Sequence, residues 1–464
     1  MKTKLSLDEL FVKGQELADS IWNGEYYFPG ILAICVLGLL TGENLIFMFV
    51  LVLVTTLFLL FSDDLMTVIC PVFCVLLLST KYYRDYTVLL PYVWLAAIPI
   101  LYGLLFNLIY YRRPFKRGNM LYGYIGVSIA LILGGVGVIS ADNYFAPVSL
   151  YYMLCLGVGM ALLYLLCISR LQNERSYNRP VRLAVILYCV GIVAATVIYA
   201  FYIANFQKFL SRGSVLFYKP RNFVATVLLI SLPTACIFVK NSYKHIGGVA
   251  YMYLALLLSG SRSALLFGTM LTLVCAAYIY FVFKRKSRKQ YNWKLVLGIA
   301  LVALAAAFVI PDLYASRLTE EGALISGDET RVKFIWLGIA DFLSNPFNGV
   351  GIGNFKNIGI FPGIIPGSIV FYHNFVLQIM ASMGFVGIAA YSYVFYKRFL
   401  MIWNMRMTNV LVFGISYAGV LMMSLTNPGI FCPFPEAAIL VIMFAVIEKE
   451  YIDRQMKELE SIFN

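Results

Sequence analysis

Long apolar runs alternate with short polar connections along most of this chain. The run "NLIFMFVLVLVTTLFLLF" (44–61) is continuous, with no polar residue at every second position. A segment inside lipid must satisfy its own backbone hydrogen bonds, which leaves helices or closed barrels. A barrel strand would alternate with period two, so continuous runs select helices. Allowing ~20 residues per crossing and tolerating shorter runs, about fourteen spans are predicted. They fall near 28–41, 44–61, 65–80, 86–110, 121–140, 145–169, 182–204, 222–239, 245–260, 263–283, 294–310, 371–396, 407–425 and 433–448. The first three are short and close together, so the count ranges over about 12–14. The expected fold is all-α, a polytopic transmembrane helix bundle with a long outer loop carrying helices.

The first residues carry charge throughout and lack the early apolar core of a signal peptide. Leu7, Leu10, Phe11, Leu17 and Ile21 fall near one helical face, which predicts a short helix on the cytoplasmic surface. If the N-terminus is inside, alternate connections should be basic. They are: "YYRRPFKRG" (110–118), "RLQNERSYNRPVR" (170–182), "KNSYKH" (240–245), "KRKSRKQYNWK" (284–294) and "YKRFLMIWNMR" (396–406). The charged tail also falls inside. The chain thus divides into a cytoplasmic amphipathic segment (1–27), N-terminal transmembrane helices (28–204), and further transmembrane helices with a Ser-Arg-Ser segment (205–310). A large extracytoplasmic loop (311–370), C-terminal transmembrane helices (371–448) and a cytoplasmic tail (449–464) follow.

Composition supports this reading. The 464 residues are 61% hydrophobic and 13% charged, far from a soluble domain of this length. The net charge of +13 lies in the short connections, so it reflects membrane orientation and not nucleic-acid binding. The nine cysteines fall mostly inside apolar runs and read as small buried residues, not as disulfides or metal ligands. In the long loop, "RVKFIWLGIADFL" (331–343) has helical periodicity, and "NPFNGVGIGNF" (345–355) reads as a compact turn packed against the membrane surface. These glycines are no phosphate loop, because no strand precedes them and no Gly-Lys-Ser/Thr follows.

Several cations fall on the outer side, where they are disfavoured. Arg262 opens an apolar run in "SGSRSALL" (259–266), Arg331 opens the helical part of the loop, and "FYKPRNFVA" (217–225) carries Lys219 and Arg221. His373, one of two histidines, heads the span "FYHNFVLQIMASMGFVG" (371–387). Any one of them alone is explained as well by an interfacial side chain reaching the headgroups. Four on one face suit a phosphate or pyrophosphate ligand, which arginine grips through its planar donor fork. On an ideal helix His373, Leu377, Met380, Gly384 and Gly387 share a face, so the two glycines would admit a closely packed neighbouring helix. Imidazole titrates near neutrality and can accept or relay a proton.

His373 and Asn374, nine residues, then Gly384, two residues and Gly387 resemble the signature of the O-antigen ligase and O-antigen polymerase superfamily. Ile388 stands where that pattern has Ser or Thr. Ser261, Arg262 and Ser263 are similar to the family's Ser-Arg-Ser segment. Arg331, Trp336, Pro346, Gly349 and Gly351 resemble its outer-loop segment, and "RNFVATVLLISLP" (221–233) the segment before the Ser-Arg-Ser span. The resemblance covers about residues 210–400.

The resemblance implies a metal-independent membrane glycosyltransferase of the GT-C type, with no cofactor, in the bacterial cytoplasmic membrane. Its donor is a glycan on undecaprenyl pyrophosphate; its acceptor is a saccharide or a lipid-anchored group; membrane lipids and a chain-length regulator are further expected partners. His373 would activate the acceptor hydroxyl or bind the diphosphate. Arg262 and Arg331 would neutralise the leaving pyrophosphate, with Arg221, Lys219, Asn374, Ser261 and Ser263 as diphosphate contacts. A capsule, O-antigen or related polysaccharide polymerase is favoured over a ligase. A transporter of the lipid-linked glycan is the alternative from another class, with Glu436 its one acidic feature and expected to be interfacial.

Overall fold

The computed structural model describes residues 7–82, 86–137, 152–171, 178–207, 221–239, 244–286, 323–352, 372–405, 408–427, 429–430 and 434–463. All regular structure among them is helical. In order, these are α1 (Leu7–Asn23), α2 (Tyr27–Thr41), α3 (Asn44–Phe61), α4 (Met66–Leu78), α5 (Val93–Tyr110) and α6 (Leu121–Gly137). Then come α7 (Gly159–Arg170), α8 (Arg179–Ala204), α9 (Arg221–Ser231), α10 (Ala235–Val239), α11 (Lys244–Leu258) and α12 (Arg262–Lys286). The last four are α13 (Ala323–Ser344), α14 (Phe375–Asn404), α15 (Thr408–Ser424) and α16 (Phe434–Phe463). The predicted span at 294–310 and Lys219 lie outside the described residues.

Seven helices among the described residues are long and apolar enough to cross a membrane, or eight if α1 and α2 form one bent span. Four shorter apolar helices accompany them, at Met66–Tyr82, Leu121–Gly134, His245–Leu258 and Asn409–Ser424. A polytopic helical bundle is therefore the fold. Helix α1 turns 79° into α2. Its Phe11 packs on Phe61 and Tyr110, at 5.5 and 4.7 Å between ring centroids, while Leu10 and Leu17 stay exposed. This is a helix lying across the bundle end. Eight described cysteines are free thiols, six of them buried, as their apolar settings predict.

Polar contacts sort the helix ends into two sets. At one end, Arg113 pairs with Asp63, the Lys116 amide donates to Ser169 Oγ (3.0 Å), and Arg179 pairs with Asp453 (2.6 Å). The Arg182 guanidinium also covers the Trp22 ring at 4.3 Å. This basic end gathers α1, the tail of α16 and two of the predicted basic connections. At the opposite end, Asn44 donates to the Leu78 carbonyl (2.7 Å), Tyr202 to the Leu258 carbonyl (2.7 Å) and Asn374 to the Leu425 carbonyl (3.1 Å).

Two elements depart from the sequence reading. Helix α13 begins at Ala323, earlier than the predicted 331. Helix α14 is not one continuous rod. It breaks at Gly384, whose φ of 58° and ψ of −154° only glycine adopts readily.

Candidate active site beside the broken helix

The break is filled by another piece of backbone. In an unbroken α14, the amides of Phe385 and Val386 would bond the carbonyls of Ala381 and Ser382. Here the Phe385 and Val386 amides donate to the Pro346 (2.8 Å) and Phe347 (3.2 Å) carbonyls. The freed carbonyls of Ala381 and Ser382 accept from the Val350 (2.8 Å) and Gly351 (3.0 Å) amides. The Pro/Gly-rich turn after α13 thus replaces two helical hydrogen bonds with four of its own. Irregular backbone at membrane depth is tolerated where protein satisfies its polar groups, and these four bonds do so for the groups they join.

This corrects two expectations. The turn is inserted into the bundle and does not lie on its surface. Gly384 and Gly387 do not serve a helix–helix seam: a Cβ on Gly384 would overlap the carbonyl oxygens of Pro346 and Phe347, and one on Gly387 would overlap Met383 of the same helix. Gly349, at φ 68°, lies with its backbone directly against Ser382 and Met383. Ile388 is a partly buried apolar residue packed on the core.

His373 lies just before α14 and not on it. Asn374 is the N-cap, its Oδ1 accepting from the Val376 (2.9 Å) and Leu377 (3.2 Å) amides, which is the usual role of Asn at this position. His373 takes a left-handed φ of 54°, uncommon for a residue with a side chain. The single helical face running from His373 to Gly387 therefore does not exist. Both neighbours of the histidine are tied down. The Tyr372 amide donates to Gln378 Oε1 (3.0 Å), and the buried Gln378 continues to Ser382 Oγ (3.0 Å). The Tyr372 phenol donates to the buried carboxylate of Asp341 on α13 (2.7 Å).

The imidazole is half-buried between two elements. Phe334 of α13 approaches its ring to 5.7 Å. On the other side His373 Nδ1 lies 3.4 Å from Asn427 Oδ1, in the turn after α15, and Asn222 Nδ2 donates to that same oxygen (3.2 Å). A carbonyl oxygen offers no proton, so this partner favours hydrogen on Nδ1. Behind Asn427, Glu436 is 3% exposed, against Gly429 and Thr226. It is buried, not interfacial as its place near the start of a span suggested.

Three of the sequence-predicted cations fall on described helices: Arg331 on α13, Arg221 at the start of α9 and Arg262 at the start of α12. Arg331 is on α13 one helical turn before Phe334, so its backbone lies about 5 Å along the axis from the residue that covers the histidine. Arg221 begins α9, adjacent to Asn222. Arg262 begins α12 after a turn in which Ser261 Oγ accepts from the Ala264 amide (3.4 Å). Ser263 follows, half-buried. The side chains of Arg262 and Arg331 are outside the described set, and no described contact joins the Ser-Arg-Ser segment to His373. Asn222, Asn427, Asp341 and Tyr372 were absent from the sequence reading. The usable signal was a polar break, "TNPG" (426–429), between two apolar spans, and the Gln378/Ser382 pair at i,i+4 within an apolar one.

Residues 247–392 match the family model described as O-Antigen ligase. That segment carries α11 and α12, the inserted turn, His373 and the break in α14, and it supports the O-antigen ligase/polymerase superfamily for this multi-pass membrane protein. No curated protein and no solved structure matches the chain.

Proposed function

We propose that this chain, with its O-antigen ligase domain at 247–392, is a bacterial cell-surface polysaccharide polymerase. It takes glycan from an undecaprenyl-pyrophosphate donor at the outer face of the cytoplasmic membrane, both termini being cytoplasmic. His373 is the general base: Nδ1–H is held by Asn427 Oδ1, and Nε2 accepts the proton of the acceptor hydroxyl. The hydroxyl oxygen attacks the anomeric carbon opposite the leaving group and inverts it. The carbon–oxygen bond to pyrophosphate breaks, and its electron pair leaves with the phosphate. Arg262 and Arg331 neutralise that charge, a role that needs no metal. Lys219, Arg221, Ser261, Ser263 and Asn374 bind or orient the diphosphate. The observation that carries this reading is the histidine held in a left-handed conformation with an acceptor on Nδ1.

The test is transfer by purified protein in vesicles, using a pyrophosphate-linked oligosaccharide donor. His373→Ala, Arg262→Ala and Arg331→Ala should each lower the rate by at least about 100-fold while inserting normally, the loss expected for a missing acid–base or charge-stabilising group. EDTA should leave the rate unchanged. Full activity in any variant removes that residue from the mechanism, and a strict metal requirement removes the metal-free step. A knockout strain that accumulates single repeat-unit precursor supports a polymerase; one that accumulates lipid-linked polymer supports a ligase. The broken α14 and the buried Glu436 are features also found in transporters. Glycan crossing the vesicle wall without chain growth would favour that reading.

A further inference from the structure

Helix α5 packs on α3 along one side, through Gly103 and Asn107, and leaves the rest of its surface outside the bundle. Only 6% of its spanning window is buried, against 39% or more in the other six long spans. Its outward face is not flat. A groove of 650 Å³ runs along it, lined by Tyr102, Leu105, Phe106, Ile109, Tyr110 and Arg112. From Tyr102 to Tyr110 it extends about 12 Å along the helix axis. Its aromatic wall is ordered by stacking: Phe106 and Tyr110 lie 5.3 Å apart and within 11° of parallel, and Phe11 of α1 meets Tyr110 edge-on.

The groove ends on a cation. Arg112 makes no hydrogen bond or ion pair among the described residues, and its φ of 43° is left-handed. Its neighbours are cationic too. Lys116 and Arg117 are exposed, and Phe115 between Pro114 and Lys116 is 56% exposed, an aromatic placed at the edge of the bundle. Arg113 is engaged by Asp63. Buried behind it, Arg170 gives Nη2 to the Arg113 carbonyl (3.3 Å) and leaves Nε and Nη1 unpartnered among the described residues. Among the described residues, the carboxylates near this connection include Asp63, Asp64, Asp19 and Glu448, the last accepting from the Asn119 amide and the Tyr164 phenol. Asp63 is spent on Arg113, and Asp64 accepts from the Met66 amide (3.0 Å). Positive charge therefore exceeds negative at the mouth of an apolar, membrane-depth groove.

We propose that this groove is a binding site for an anionic glycerophospholipid, with one acyl chain along the α5 aromatics and its phosphate on Arg112. The two halves of the site match the two halves of such a molecule. An apolar channel of this length suits a chain and has no use for a free phosphate. A guanidinium without a partner among the described residues, at the depth where headgroups lie, takes a phosphate through paired donors. A cation at the headgroup adds about 1 kcal/mol of attraction for anionic over neutral lipid, and the groove places Arg112 there. Phe115 anchors the same connection at the interface.

Native mass spectrometry of the full chain, released from detergent after incubation with phosphatidylglycerol or with phosphatidylcholine of identical chains, tests this. The expected result is roughly fivefold greater retention of phosphatidylglycerol, the factor that one cation provides. Arg112→Gln should abolish that preference, and Arg117→Gln, off the groove, should keep it. Arg112→Gly is the folding-safe companion, because glycine suits a φ of 43°; it too should lose the preference. Phe106→Ala should lower retention of both lipids. Equal retention of the two lipids by the unmodified chain would overturn the site. So would equal effects of the Arg112 and Arg117 variants, a preference that survives Arg112→Gly, or displacement of lipid by millimolar inorganic phosphate.

Discussion

His373 depends on its neighbours more than on its own position in a span. The Asn374 cap and the Tyr372–Gln378 bond set its backbone, and Asn427 sets its ring. The rarity of histidine made His373 conspicuous in the sequence; nothing there could reveal Asn427, because residues 54 apart in the chain meet only through packing. If Asn427 holds hydrogen on Nδ1, a carboxylate should replace it and an alkyl group should not. Asn427→Asp is expected to keep most of the transfer rate in the vesicle assay. Asn427→Leu should lower kcat by about 100-fold, with KM little changed, the scale of a misoriented general base. Equal losses in the two variants would remove the tautomer assignment.

At the scale of elements, the decisive one is α14. The Gly-x-x-Gly spacing was legible as a place of close approach, and the Pro/Gly run after α13 as a turn. That they complete each other was not. A period of 3.6 assumes an unbroken helix, and the hydrogen bonds of the break run between segments more than thirty residues apart. Gly384→Ala forces a side chain into φ 58° and against two carbonyls, and ejecting the turn would orphan buried amides. A loss of about 3 kcal/mol or more is expected, seen as a marked fall in melting temperature in detergent. Gly247→Ala, at a helical site with open space around the missing Cβ, is the control and should melt normally. Matching melting curves for the two variants would show that the break is dispensable.

For the whole molecule, the run of apolar spans was the most readable feature, because crossing a membrane depends on summed hydrophobicity and not on contacts. The fine structure of the basic end was not readable. Arg179 is buried there against Asp453 and Glu450, and Lys449 also reaches Asp453 (2.6 Å). Burial pushes the Asp453 carboxyl up, but the bonds from Lys449 and Arg179 outweigh it and hold it below the usual carboxylate range. Such a group adds stability that is complete above its unfolded pKa of about 3.9 and is lost as pH falls through the lower folded value. Asp453→Asn should cost about 1–3 kcal/mol at neutral pH. It should also flatten the fall of melting temperature between roughly pH 4 and 2. An unchanged acid slope would show that the tail is held by its apolar face alone.

The amide that steadies His373 has a bearing on how the protein is made. Residues 247–392 contain the whole matched family segment, yet Asn427 comes later in the chain, and its other partner, Asn222, comes 205 residues before it. A chain emerging from the ribosome therefore lacks the Asn427 contact to its histidine until α15 and the turn beyond it have been threaded into the membrane. On the proposed chemistry, a nascent or prematurely terminated protein ending after residue 392 would carry every signature residue and be unable to use them. On that proposal, the last helices set the moment at which an unfinished chain becomes able to spend lipid-linked sugar.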